Sequence, residues 1–149
     1  MAHSKDDRLQ QAFRQTRYLV EHSGGVLTIL VNQPPPALLQ KTTWLIITAD
    51  NPQAKKITAK ENELRRATLL QNLQQLALPL LATRHVDPTG TWPDEHGWLV
   101  MTDADQAKQQ WLWAQVIELG RKFDQRALLS HQPAADRNAA PARVRLLWL

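Results

Sequence analysis

The stretch Trp44-Leu45-Ile46-Ile47-Thr48-Ala49-Asp50-Asn51-Pro52, followed by Thr58-Ala59-Lys60-Glu61, decides how this chain folds. Trp44 to Ala49 is a short apolar run with β-favouring side chains, which predicts a strand. It is apolar almost throughout, as suits a strand covered on both faces. Asp50-Asn51-Pro52 ends it, because proline restricts the residue before it and supplies no N–H. Thr58 and Glu61 have capping-box spacing, so a helix opens at Ala59. Its first two turns carry Glu61, Asn62, Glu63, Arg65 and Arg66. Carboxylates, an amide and guanidinium groups thus meet at a strand end and a helix N-terminus, where α/β proteins often hold ligands.

Working outward, the helix runs from Ala59 to about Ala77, with Leu64, Ala67, Leu70, Leu73 and Leu76 every third residue and Leu69 widening the stripe. Glu61 precedes Arg65 by four residues, the better order for a helical ion pair. Upstream, Asp7 to Thr16 reads as a short helix or turn. Arg17 to Glu21 and Val26 to Val31 form a hairpin across Ser23-Gly24-Gly25. Pro34-Pro35-Pro36 is a stiff connector into a short helix at Ala37 to Lys41. Downstream, Pro79 to Val86 is a strand, Asp87-Pro88-Thr89-Gly90 a type I turn, Trp92 to His96 a loop and Trp98 to Thr102 a strand. Asp103 and Gln106 signal a cap for a helix from about Ala104 to Lys122. Arg126 to Ser130 reads as a further strand.

The organisation is one α+β domain over residues 1–131, a linker or mobile loop over 132–142 rich in Pro, Ala, Asp and Asn, and a C-terminal strand over 143–149. The sheet is expected to be mixed, with about five to seven strands and two main helices packed on it. An apolar terminal strand needs cover, from its own sheet edge or a second subunit.

Composition removes many chemistries. The chain of 149 residues has no cysteine, which excludes disulfides, a thiol nucleophile and a thiolate metal site. The polar N-terminus shows no signal peptide, and no apolar run approaches the roughly 20 residues of a membrane span; a cytoplasmic protein is expected. The net charge is only +4 and is spread along the chain, so the one basic cluster, Lys55, Lys56, Lys60, Arg65 and Arg66, reads first as a solvated face and only then as a nucleic-acid contact. No phosphate-binding glycine loop, dinucleotide fingerprint or nucleophile elbow occurs, and no cofactor is expected. His85, Asp87, Glu95 and His96 have ligand chemistry for zinc, but their spacing is commonplace and no metal is expected.

The candidate ligand-binding set is Asn51, Glu61, Asn62, Arg65, Trp92, Glu95 and Gln125. Arg65 offers a planar fork for a carboxylate or phosphate, and Trp92 a stacking surface. Against this, Asn51 can simply close the turn and Glu61 simply complete the capping box. The six tryptophans are many for this length. Trp111 and Trp113 project about 200° apart on a helix, so one is exposed or the helix is sandwiched.

Ala12-Phe13-Arg14-x-Thr16-x-Tyr18, Gly24-Gly25, Pro36-Ala37-Leu38, Ile47-Thr48-Ala49-x-Asn51-Pro52, Glu61-Asn62-Glu63-x-Arg65, Asp87-Pro88-x-Gly90-x-Trp92, Glu95 and Phe123-x-Gln125 occur in this order. Together they resemble the uncharacterised bacterial domain-of-unknown-function family 3293, over about residues 12 to 130. The resemblance implies a compact bacterial domain and no particular activity. Four positions depart from the family pattern: Asp50 stands where tryptophan is usual, Arg66 and Arg126 where asparagine is usual, and Asp124 where glycine is usual. These swaps change the charge of any shared pocket.

Four functional readings follow, in order. The first is a non-catalytic binding domain for a small polar or anionic ligand at the Asp50–Pro52 turn, anchored by Arg65. The second is a protein-interaction or homo-oligomerisation module using tryptophans and the terminal strand. The third is a weak nucleic-acid binder. An enzyme using Glu61 or Glu95 beside Arg65 for acid–base work comes last.

Overall fold

The structure, a computed structural model, describes residues 4–136 and 138–149. Among these residues three α-helices and seven strands follow in the order α1 (Ser4–Gln15), β1 (Arg17–His22), β2 (Gly25–Ile29), β3 (Thr43–Thr48), α2 (Ala59–Gln74), β4 (Leu80–Val86), β5 (Glu95–Thr102), α3 (Gln106–Lys122), β6 (Ala127–His131) and β7 (Arg145–Trp148), with short 3-10 turns at Ala37–Leu39 and Pro52–Ala54. The fold is α+β, with one sheet in the order β2-β1-β4-β5-β3-β6-β7.

Every neighbouring pair in that sheet is antiparallel, where the sequence reading expects a mixed sheet. The reason lies in β5. The chain leaves β3 through α2 and re-enters the sheet at β4 in the same direction as β3, and β5 then inserts between them. It pairs Thr43–Thr48 with Gly97–Thr102 on one side and Leu80–His85 with Glu95–Val100 on the other. β5 therefore starts at Glu95, and the expected loop gives up Glu95 and His96 to the sheet. Gly97 disguises this start in the sequence. It is glycine because a Cβ there would run into the Ile47 carbonyl oxygen.

β3 is buried at every position and splits the core by alternation. Trp44 and Ile46 join Tyr18, Val20, Leu99 and Leu129 on one face, while Leu45 and Ile47 join Val100 and Leu128 on the other. The second face is covered by α2 through Leu69 and Leu73 and by α3 through Leu112 and Val116. Leu64 is 63% exposed, so the expected three-residue stripe is not the buried line. A three-residue step falls about 60° behind a helix of 3.6 residues per turn, and the line that stays inside is Asn62, Leu69 and Leu73. Of the paired tryptophans on α3, Trp113 packs on the core while Trp111 is exposed under the Lys108 ammonium.

The first face is only partly covered. Its outer half takes the connector from β2 to β3 and Val144, whose N–H and C=O bond Gln33 and Asn32. β7 pairs with β6 along one edge, with Trp148 43% exposed. Beside this, α1 stands off the sheet and one side of a cavity is left between them.

Candidate functional site

Asn51 is the hub of the turn after β3. It adopts a left-handed conformation (φ 49°) that asparagine tolerates better than most residues. Its N–H donates to Oδ1 of Asn62 at 2.9 Å, and its Oδ1 accepts from Nδ2 of Asn62 at 3.0 Å and from the Ile57 N–H at 3.2 Å. Its own Nδ2 donates to Oε2 of Glu95 at 2.7 Å. That oxygen also accepts from Nε1 of Trp92 at 3.0 Å. Asn51 and Asn62 are both buried, so these bonds satisfy groups that water cannot reach.

Asp50, fully buried, forms a bidentate pair with Arg66 (Nε–Oδ1 2.8 Å, Nη2–Oδ2 2.6 Å), and its Oδ2 also accepts from the His96 N–H at 2.9 Å. The carboxylate holds the Arg66 pKa above its ordinary value. Two departures from the resemblance pattern, far apart in sequence, are therefore one ion pair. The third, Asp124, has φ 55° at the end of α3. There the Gln125 N–H reaches back to the Gly120 carbonyl at 2.9 Å, closing the helix in the way that favours glycine. The Asp124 carbonyl in turn receives the Gln53 N–H at 2.7 Å, tying the turn to α3.

The seven expected site residues divide. Asn51, Trp92, Glu95 and Gln125 line the cavity, which has a volume of about 610 Å³. Glu61 does not; it takes part in the helix cap, its N–H donating to the Thr58 hydroxyl, which donates in turn to its Oε1. Asn62 lies behind Asn51. Arg65 is turned away from the cavity: Nε donates to the Ala49 carbonyl at 2.7 Å and Nη2 to that of Phe123. Gln125 donates through Nε2 to the Asp50 and Phe123 carbonyls, both at 3.2 Å. Of the basic cluster, Arg66 is spent on Asp50, and Lys56 lies 5.1 Å from the Trp92 ring centre.

The cavity draws its remaining walls from residues outside the expected ligand-binding set. Leu9, Ala12 and Phe13 of α1 form one side, and Ile46, Thr48, Ala127 and Leu129 form the floor. Tyr18, His85 and Glu95 lie in one cross-strand row, Tyr18 opposite His85 and His85 opposite Glu95. The Tyr18 and His85 rings are 4.8 Å apart. Burial pushes the His85 pKa down to about 3, helped by His96, and its Nε2 bonds the Thr83 hydroxyl at 2.8 Å. Burial, then the Glu95 charge, raises the Tyr18 pKa. Burial also raises the Glu95 pKa, against the bonds from Asn51 and Trp92. Asp87 shapes the rim: its carboxylate accepts from the Thr89 and Trp92 N–H groups, which keep its pKa low. The signal for this row was register, which pairs residues from three separated segments.

His85 faces the cavity while His96 bonds the turn through its main chain, and among the described residues no group of three or more His, Asp or Glu gathers as a metal site. No helix among them is long and apolar enough to cross a membrane.

Fold and cavity together define a small α+β domain that presents a part-polar cavity on the less covered face of its sheet. The sequence profile of the family described as "Protein of unknown function (DUF3293)" matches residues 47–128, more than half of the chain, and the protein belongs to that family. The matched segment runs from β3 to β6 and contains the whole Asn51–Asn62–Glu95–Trp92 network. No curated protein and no solved structure matches the chain.

Proposed function

We propose that this protein is a binding domain for a small polar ligand held in the cavity between α1 and the sheet. The observation that carries the reading is the carboxylate of Glu95, presented to a cavity of about 610 Å³ by fixed donors from Asn51 and Trp92. A concave, largely apolar cavity with a few convergent polar groups is the usual form of a small-molecule site. The pocket is shifted from the one expected at the turn itself. Arg65 is engaged by two main-chain carbonyls, so the ligand contacts are assigned to Asn51, Trp92, Glu95 and Gln125.

A thermal-shift screen against nucleotides, sugars, amino acids, organic acids and amines tests this. A ligand at about 100 times its Kd stabilises the fold by about 2.7 kcal/mol. The comparison is Ala12→Trp, which puts an indole into the cavity from an exposed helix position. A hit lost in Ala12→Trp supports the reading. No hit, or hits of equal size in both proteins, would sink it.

Self-association is the second reading. It is supported by the two outer strands, β2 and β7, each of which has one sheet neighbour among the described residues, with Val26 of β2 60% exposed. Sedimentation equilibrium of wild type and Val26→Lys distinguishes it, a concentration-independent monomer counting against it.

A further inference from the structure

We infer that the cavity seats its ligand by a protonated nitrogen, an amine or amidine on an apolar body, which donates to Oε1 of Glu95. This rests on the binding-domain reading and adds the chemical class of the ligand. Glu95 uses Oε2 for both of its donors, Asn51 and Trp92. Among the described residues no donor reaches Oε1. Oε1 is not among the buried side-chain atoms without a partner, and Glu95 lines the cavity, so among the described residues Oε1 faces the cavity without a donor.

A half-buried carboxylate held by two neutral donors is short of a directly bonded positive partner; among the described residues none donates to it, and the Arg66 charge acts on it only from a distance. His85, across the strand pair, is buried, and its Nε2 is occupied by Thr83. Tyr18, next in the row, is a phenol. Arg66 is committed to Asp50 by both prongs of its fork. Asp87 adds a second negative charge at the rim. The apolar walls, Phe13, Ile46 and Leu129, suit a hydrocarbon or aromatic body. Arg8 also lines the cavity and sets the competing expectation of an anion.

Benzamidine, benzamide and benzoate share one shape and differ in charge. Their binding to the full chain is followed by the Trp92 indole N–H resonance, assigned with Trp92→Phe, and by calorimetry of Glu95→Gln. Glutamine keeps an oxygen for the Asn51 and Trp92 donors. The expected result is a saturable shift with benzamidine, binding of benzamide about tenfold or more weaker, and a similar loss of benzamidine affinity in Glu95→Gln. Benzoate binding more tightly than benzamidine overturns the inference, leaves the cavity reading standing and points to Arg8. Equal binding of benzamidine and benzamide also overturns it. So does failure of benzamidine to bind, and the ligand screen alone then decides the broader reading. If Glu95→Gln fails to fold, the ratio of the two probes on wild type decides.

Discussion

Replacing Arg66 by methionine should destabilise the protein by about 3 kcal/mol. The substitution keeps the apolar stem and removes the guanidinium. Asp50, whose side chain is fully buried, then loses two charge-assisted bonds and retains the His96 N–H. Breaking a buried pair by removing one partner costs about 3–5 kcal/mol, because the remaining charge is left uncompensated. The lower end applies because the Arg66 side chain is 27% exposed, so water can reach the vacated place. The assay is urea unfolding at neutral pH, read as a fall in midpoint at constant slope, with a melting point about 6–12 °C lower. Asp50→Asn in the Arg66→Met background should recover much of the loss, giving a coupling of more than about 1 kcal/mol in the double-mutant cycle. A loss below about 1 kcal/mol for Arg66→Met, or additive single substitutions, would refute the reasoning.

Asp124→Gly should stabilise the fold by about 1 kcal/mol, since φ 55° penalises a side chain; a lower urea midpoint would contradict the helix-end geometry. Arg65→Ala should cost about 2–4 kcal/mol, because the Ala49 and Phe123 carbonyls each lose a charged donor, while ligand-induced shifts persist; their loss in a folded variant would return Arg65 to the site. His85 has a folded pKa below its unfolded value, so the unfolded chain binds the extra proton and stability should fall as pH drops from about 6.5 towards 3. Unfolding of His85→Gln over that range should show a shallower fall, and an unchanged pH profile would exclude His85 as the cause. Glu95 has the opposite sign: its folded pKa is raised, so stability falls as pH climbs from the ordinary carboxylate range through that raised pKa. The advantage of Glu95→Gln over wild type should therefore grow from pH 4 to pH 7, and a constant difference would argue against a charge effect.

What the sequence determined by itself was local. The apolar run of β3, the Thr58–Glu61 capping box, the Asp87–Gly90 turn and the three helices all depend on residues within a few positions of one another, and their spacing carries the signal. Four members of the cavity, Asn51, Trp92, Glu95 and Gln125, were also legible, because polar groups at a turn and in a Trp/Glu stretch stand out against the apolar pattern. Tertiary structure alone decided the rest, because strand partners are chosen over long sequence separations. β5 took the place between β3 and β4, which turned an expected loop into the strand edge that carries Glu95. The same pairing aligned Tyr18 and His85 with it. Arg65 and Arg66, adjacent in sequence, went to different partners, two main-chain carbonyls and a buried carboxylate. Side-chain type shows what a guanidinium can bind; only the packing of α2 against the β3 turn and the end of α3 determines which acceptor lies within its reach.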